Sequence, residues 1–136
     1  MNTPLSIPEI EERLHSCAGW EAKSRMLVQL SRELPAYPET DRTEENRVSG
    51  CESQVWLKLG WNNGALELAT DSDSRIIKGL LALVYAAYRG RSPEAVRDFD
   101  FDGWLAGMGL TRLLTASRSN GLKAIVTHIR SSASEI

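Results

Sequence analysis

Two histidines and two cysteines are the only imidazoles and thiols in this chain of 136 residues. Cys17 and Cys51 form no CxxC pair, and His15 and His128 stand far apart. No clustered spacing supplies the ligands of a zinc or iron–sulfur site, so no resident metal is expected. One-sided charge is lacking too. The net charge of −2 gives no electrostatic reason for a nucleic-acid or anionic-membrane partner. No apolar run approaches the roughly 20 residues of a membrane-spanning helix. Met1-Asn2-Thr3-Pro4-Leu5 has neither the basic start nor the apolar stretch of a secretory signal. These absences point to a cytoplasmic protein whose two thiols stay reduced. Hydrophobic residues at 42% and charged residues at 25% fit an ordinary globular protein, long enough to bury a core without staples. One domain over 1–136 is the expectation.

The local patterns alternate between helix and a single ribbon. Ser6-Ile7-Pro8-Glu9 reads as a capping box that opens a helix with Ile7, Ile10, Leu14 and Cys17 on one stripe. A second helix is expected from Trp20 to Leu34, with Trp20, Leu27, Leu30 and Leu34 sharing a face and Pro35 as its stop. The polar stretch 35–46 reads as a connection with one helical turn. From Gln54 the period changes to two, and Asn62-Asn63-Gly64 carries the residues that a tight hairpin turn requires. Trp56 and Trp61 fall on opposite faces of that strand, one expected in the core and the other exposed. Asp71-Ser72-Asp73-Ser74 reads as capping side chains before the most apolar helix, Ile76 to Tyr88, which Gly90 ends. Shorter helices follow Ser92-Pro93 and Asp100, and a last one starts near Thr115 to Ser119. A two-stranded ribbon is marginal alone, so a third strand is expected near 46–49. The fold class is α+β, a small antiparallel sheet of about three strands flanked by helices.

Cys51 is the main chemical candidate. It ends the turn-prone Arg47-Val48-Ser49-Gly50 and precedes the strand-like Gln54-Val55-Trp56. A thiol exposed on a loop at a sheet's start suits transfer chemistry, whereas one kept for packing more often lies in a periodic apolar run. Gap-filling at a strand end is the alternative. Arg47 and Arg118 are candidate sources of the positive potential that favours a thiolate. A Cys/His hydrolase would need His15 or His128 at the thiol, and both read as solvated helix residues. Asp71 and Asp73 lack the further oxygens of a calcium loop and read as caps. Ser117-Arg118-Ser119 reads either as a helix cap or as a site wall. Cys17, on a helix stripe, reads as buried and inert.

Four blocks together resemble the SufE family of sulfur-acceptor proteins: Gly19-Trp20-Glu21-Ala22-Lys23, Val48 to Trp56 around Cys51, Asp71-Ser72-Asp73 through Ile77-Lys78-Gly79-Leu80, and Ser117 to Leu122. They occur in the family's order and nearly span the chain. The resemblance implies a fold like that of the IscU-type scaffolds, without the several cysteines that hold a cluster. It implies a pyridoxal-phosphate cysteine desulfurase of the SufS type as partner, Cys51 as the persulfide carrier, and a SufBCD-type scaffold as the downstream acceptor. The chain itself would need no cofactor, PLP belonging to the desulfurase, and would catalyse no net reaction of its own. A homodimer is the expected state. Gly50 would let the cysteine loop swing, and Asp73 and Arg118 would flank it and govern its docking. The CsdE-type acceptors share the loop and pair with a different desulfurase. Glu52 is common in that subgroup, while Ser53-Gln54-Val55-Trp56 and Asp71-Ser72-Asp73 look more like SufE proper. Two further readings stand beside the carrier: a docking module that activates the desulfurase without carrying sulfur, and a stand-alone thiol enzyme.

Overall fold

The computed structural model describes residues 5–48 and 53–135. It is an α+β arrangement in which one antiparallel ribbon is packed among helices. Helix α1 (Ile7–His15) begins at Ser6, whose Oγ accepts from the Glu9 amide at 3.4 Å. The reciprocal half of the box is replaced, because Arg13 Nε engages Glu9 at 3.0 Å and Arg13 also pairs with Glu33. Helix α2 (Gly19–Ser31) stops three residues short of Leu34. Leu27, Leu30 and Leu34 are buried, but Trp20 is 45% exposed under the Arg112 guanidinium, so the shared stripe breaks at its first member. Cys17 lies past the end of α1 and is half-buried, its Sγ 3.3 Å from the Arg13 carbonyl, rather than sunk in the stripe.

Strand β1 (Val55–Asn62) pairs with β2 (Ala65–Ser72) in strict register from Val55↔Ser72 to Asn62↔Ala65. The turn between them has φ of 53° at Asn63 and 78° at Gly64, the positive values for which Asn-Gly is suited. Among the described residues the expected third strand is represented by one antiparallel bridge, Arg47↔Trp56, with the Val48 amide bonded to the Val55 carbonyl at 2.8 Å. At the ribbon's other edge Leu66 exchanges bonds with Arg91 and Gly90, at 2.9 and 2.7 Å. Trp56 and Trp61 are both half-buried, Trp56 because the Arg42 guanidinium lies 4.7 Å over its ring. Between 35 and 47 the chain makes two short 3-10 turns, Glu39–Asp41 and Glu44–Asn46.

Helix α3 (Arg75–Tyr88) is capped by Ser74, whose Oγ accepts from the Ile77 amide at 3.3 Å. It is the most deeply buried helix and packs against both β2 and α2. Helices α4 (Pro93–Asp98), α5 (Phe101–Gly107) and α6 (Ala116–Ser134) start on Ser92, Asp100 and Thr115, side chains that each accept a first-turn amide. Helix α6 packs on α4 and reaches α3 and β1. Among the described residues no helix is long and apolar enough to cross a membrane.

Tyr88 closes α3 inside an aromatic cluster, edge-on to Phe99 at 5.8 Å and stacked on Phe101 at 5.9 Å. Its buried hydroxyl has no hydrogen-bond partner among the described residues. Burial pushes the phenol up to about 12 from the usual 10.0. The folded state thus holds this proton more tightly than the unfolded chain. Its contribution is constant below about pH 10 and is lost as pH rises through about 12, a total of roughly 2–3 kcal/mol. Tyr88→Phe is expected to keep or raise neutral-pH stability by up to about 1 kcal/mol, because it removes an unpaired buried hydroxyl. Denaturant unfolding of both proteins between neutral pH and pH 11 checks this, the gap widening in favour of phenylalanine only at the alkaline end.

Candidate functional site

The amide of Asp73 donates to the Gln54 carbonyl at 3.3 Å, and the Gln54 amide donates to Asp73 Oδ1 at 3.1 Å. This reciprocal pair lies one step beyond the last ladder pair, Val55↔Ser72. Asp73 therefore fixes the chain where it leaves the cysteine segment and enters β1. It is not a helix cap, since Ser74 performs that role for α3.

Next to this pair is a cavity of about 230 Å³. Ser53, Ser74, Ser117 and Arg118 supply its polar lining, and Ile77, Gly121, Leu122 and Ile125 its apolar lining. Three pieces of chain build it: the exit of the cysteine segment, the first turn of α3 and the first turns of α6. Thr115 caps α6 by accepting the Arg118 amide at 3.4 Å, which leaves the side chains of Ser117 and Arg118 to line the cavity. The Arg118 guanidinium donates through Nη1 to the Leu113 carbonyl at 2.9 Å. That bond uses one of the five N–H groups of a permanently charged fork and holds it in place. A half-polar, half-apolar hollow with one fixed positive charge is suited to a small, soft anion: the fork attracts charge and the aliphatic lining tolerates a polarizable atom.

Of the residues singled out in the sequence, Arg118 lies on this cavity and Asp73 directly precedes Ser74 on its rim. Cys51 and Gly50 lie outside the described residues; Ser53, two positions beyond Cys51 along the chain, is on the cavity. Arg47 is instead exposed, 3.6 Å from Glu44, and bridges to Trp56. His15 is exposed on α1. His128, exposed on α6, borders a separate cleft of about 240 Å³ with Glu45, Arg47 and Val48.

Asp71 is the residue whose role sequence reasoning misses. It is 5% exposed, within β2, and holds the Arg42 guanidinium while Lys78 Nζ lies 3.2 Å from its Oδ1. The expected role as a cap before α3 is corrected: Asp71 pairs with Trp56 inside β2, and its burial depends on a distant connection that no local pattern announces.

The family model described as "SufE: Fe-S metabolism associated domain" matches residues 8–133. Among solved structures, a solution structure described as a hypothetical protein from Thermus thermophilus is similar in fold. Its TM-score is 0.75 and its identity 23%, over 95% of this chain and 93% of that one.

Proposed function

The chain belongs to the SufE family, associated with iron–sulfur metabolism, and on that premise we propose that it carries sulfur. Cys51, as thiolate, attacks the terminal sulfur of a persulfide held on the cysteine of a SufS-type desulfurase. The sulfur–sulfur bond of the donor breaks, the donor's thiolate leaves, and Cys51 departs as the persulfide. Thiol and persulfide change places, so there is no net oxidation and no metal or external reductant is needed. Relieved of its sulfur, the desulfurase turns over again; this chain activates it and catalyses no net reaction alone. The persulfide then passes to a scaffold of the SufBCD type, which builds the cluster.

The match of the family model over 8–133 carries this reading. The cavity supports it in physical terms, because a persulfide is a soft anion vulnerable to oxidation and gains from a partly apolar hollow near a fixed cation. Intact-protein mass spectrometry under non-reducing conditions tests it, after mixing the chain with desulfurase and L-cysteine. The expected result is one added sulfur that peptide mapping assigns to Cys51 and that dithiothreitol removes. Sulfur found on Cys17, or none at all, would overturn the assignment.

A further inference from the structure

We propose that the cleft between the Glu44–Asn46 turn and α6 binds a small zwitterion of the α-amino acid class, one whose side chain is short and apolar. The cleft measures about 240 Å³. That is room for several non-hydrogen atoms, far more than one water or a bare ion occupies, and less than a drug-sized pocket. Leu57, which is buried, and Val48 and Ala124, which are half-buried, form its apolar floor. Glu45, Arg47 and His128, all exposed, bring polar groups to its rim. Glu45 and Arg47 carry opposite charges on one hollow, yet they are not an ion pair. Among the described residues Arg47 pairs only with Glu44, at 3.6 Å, and neither Glu45 nor His128 has a side-chain partner. The polar groups of the rim are therefore unspent.

The ligand class follows from those charges. A simple anion would meet the Glu45 carboxylate as well as the Arg47 guanidinium, and a simple cation would meet the reverse. A molecule carrying both signs satisfies both. Its carboxylate takes the planar fork of Arg47, its ammonium donates to Glu45, and a neutral His128, with one donor and one acceptor nitrogen, can serve either end. The apolar floor favours a short aliphatic side chain over a polar one. Both walls are held before a ligand arrives. Asn46 donates through Nδ2 to the Asp41 carbonyl at 2.9 Å, the Arg47 amide donates to the Glu44 carbonyl at 3.2 Å, and Arg47 bridges to Trp56. On the other side α6 packs on β1. A site built on anchored walls loses little freedom on binding. Because its polar groups are exposed, a Kd of about 1 mM is expected. The proposal owes nothing to the carrier reading; under that reading the ligand at hand is alanine, which is what cysteine becomes once its sulfur is removed.

Titration of the isotope-labelled full-length protein with L-alanine, followed in amide NMR spectra, tests this without any desulfurase. Saturable shifts are expected at the amides of Asn46, Arg47, Ala124 and His128, with a Kd of about 1 mM. Propionate, which lacks the ammonium, and ethylamine, which lacks the carboxylate, should each bind at least about tenfold more weakly. Glu45→Gln and Arg47→Gln should each raise the Kd for alanine about fivefold, whereas Lys123→Gln, on α6 but outside this cleft, should leave it unchanged. The three side chains are exposed, and the remaining amides of the same spectra report that each variant keeps its fold. No saturation up to about 50 mM, or shifts confined to other parts of the chain, would overturn the site. Propionate binding as tightly as alanine, or alanine binding unaltered by Glu45→Gln, would reduce the cleft to an anion site and overturn the zwitterion. A failure of sulfur transfer would leave this result untouched, and a failure here would leave the carrier reading standing.

Discussion

A Cys51→Ser variant is expected to bind the desulfurase with wild-type affinity and leave its turnover at the rate of the enzyme alone. The substitution exchanges one atom, so shape and docking surface are nearly preserved. The chemistry is not. A serine hydroxyl stays protonated at neutral pH, and no serine counterpart of a thiolate is present to attack sulfur. Binding is measured by titration calorimetry and turnover by alanine release in the same preparation. Retained binding with lost stimulation separates the carrier from a docking module, for which stimulation would survive the substitution. A stand-alone thiol enzyme would require the isolated chain to turn over a substrate with His15 or His128 assisting. Both imidazoles are exposed, on different helices, and neither borders the cavity shared by Ser53 and Arg118.

Gly79→Ala is expected to cost substantial stability. A Cβ at Gly79 would collide with the Leu27 carbonyl oxygen and lie 2.7 Å from its carbon and 2.8 Å from the Leu27 Cβ. The first two are backbone atoms and cannot rotate aside, so α2 and α3 would have to separate. Alanine gains about 1 kcal/mol over glycine in a helix interior. Overpacking typically costs about 1–3 kcal/mol and occasionally more. With backbone on the receiving side the clash falls at or beyond the top of that range, about 3–4 kcal/mol, so a net loss of about 2–3 kcal/mol is expected against a usual total of about 5–15. The melting temperature should drop by about 10 °C. Because α3 also carries Ile77 of the cavity and Lys78, which pairs with Asp71, the proposed activation of a desulfurase should weaken along with stability. A melting temperature equal to wild type would mean that the helices can part without cost.

Several rules that act within a few residues were informative. The Asn63-Gly64 turn, the caps at Ser6, Ser92 and Thr115 and the apolar face of α3 are each set by neighbours along the chain, and each appears in the structure. Trp20 misled because helical spacing records which side a residue faces but not whether a neighbouring element covers it. Among the described residues the third strand is represented by a bridge because its role is divided: Arg47 and Val48 meet β1, while Gly90 and Arg91 meet β2 from a loop after α3. At the site, Arg118 was legible as a possible wall residue. Asp71 was not: it read as a cap before α3, because the strand pattern stops at Thr70 and nothing local shows the 37–46 connection folded over it. Its network joins positions 29 and 7 residues apart, Arg42 with Asp71 and Asp71 with Lys78, beyond the reach of any periodicity.

The ribbon's two edges are plugged at opposite corners, one at Val55 and the other at Leu66. An unpaired strand edge is a template on which a second chain can grow, and it is a common starting point for aggregation. Here each edge is left open along only part of its length, where the exposed Lys58 on β1 and Glu67 on β2 put charge in the way. Among the described residues the sheet thus keeps two strands without offering a full edge to further copies of the chain.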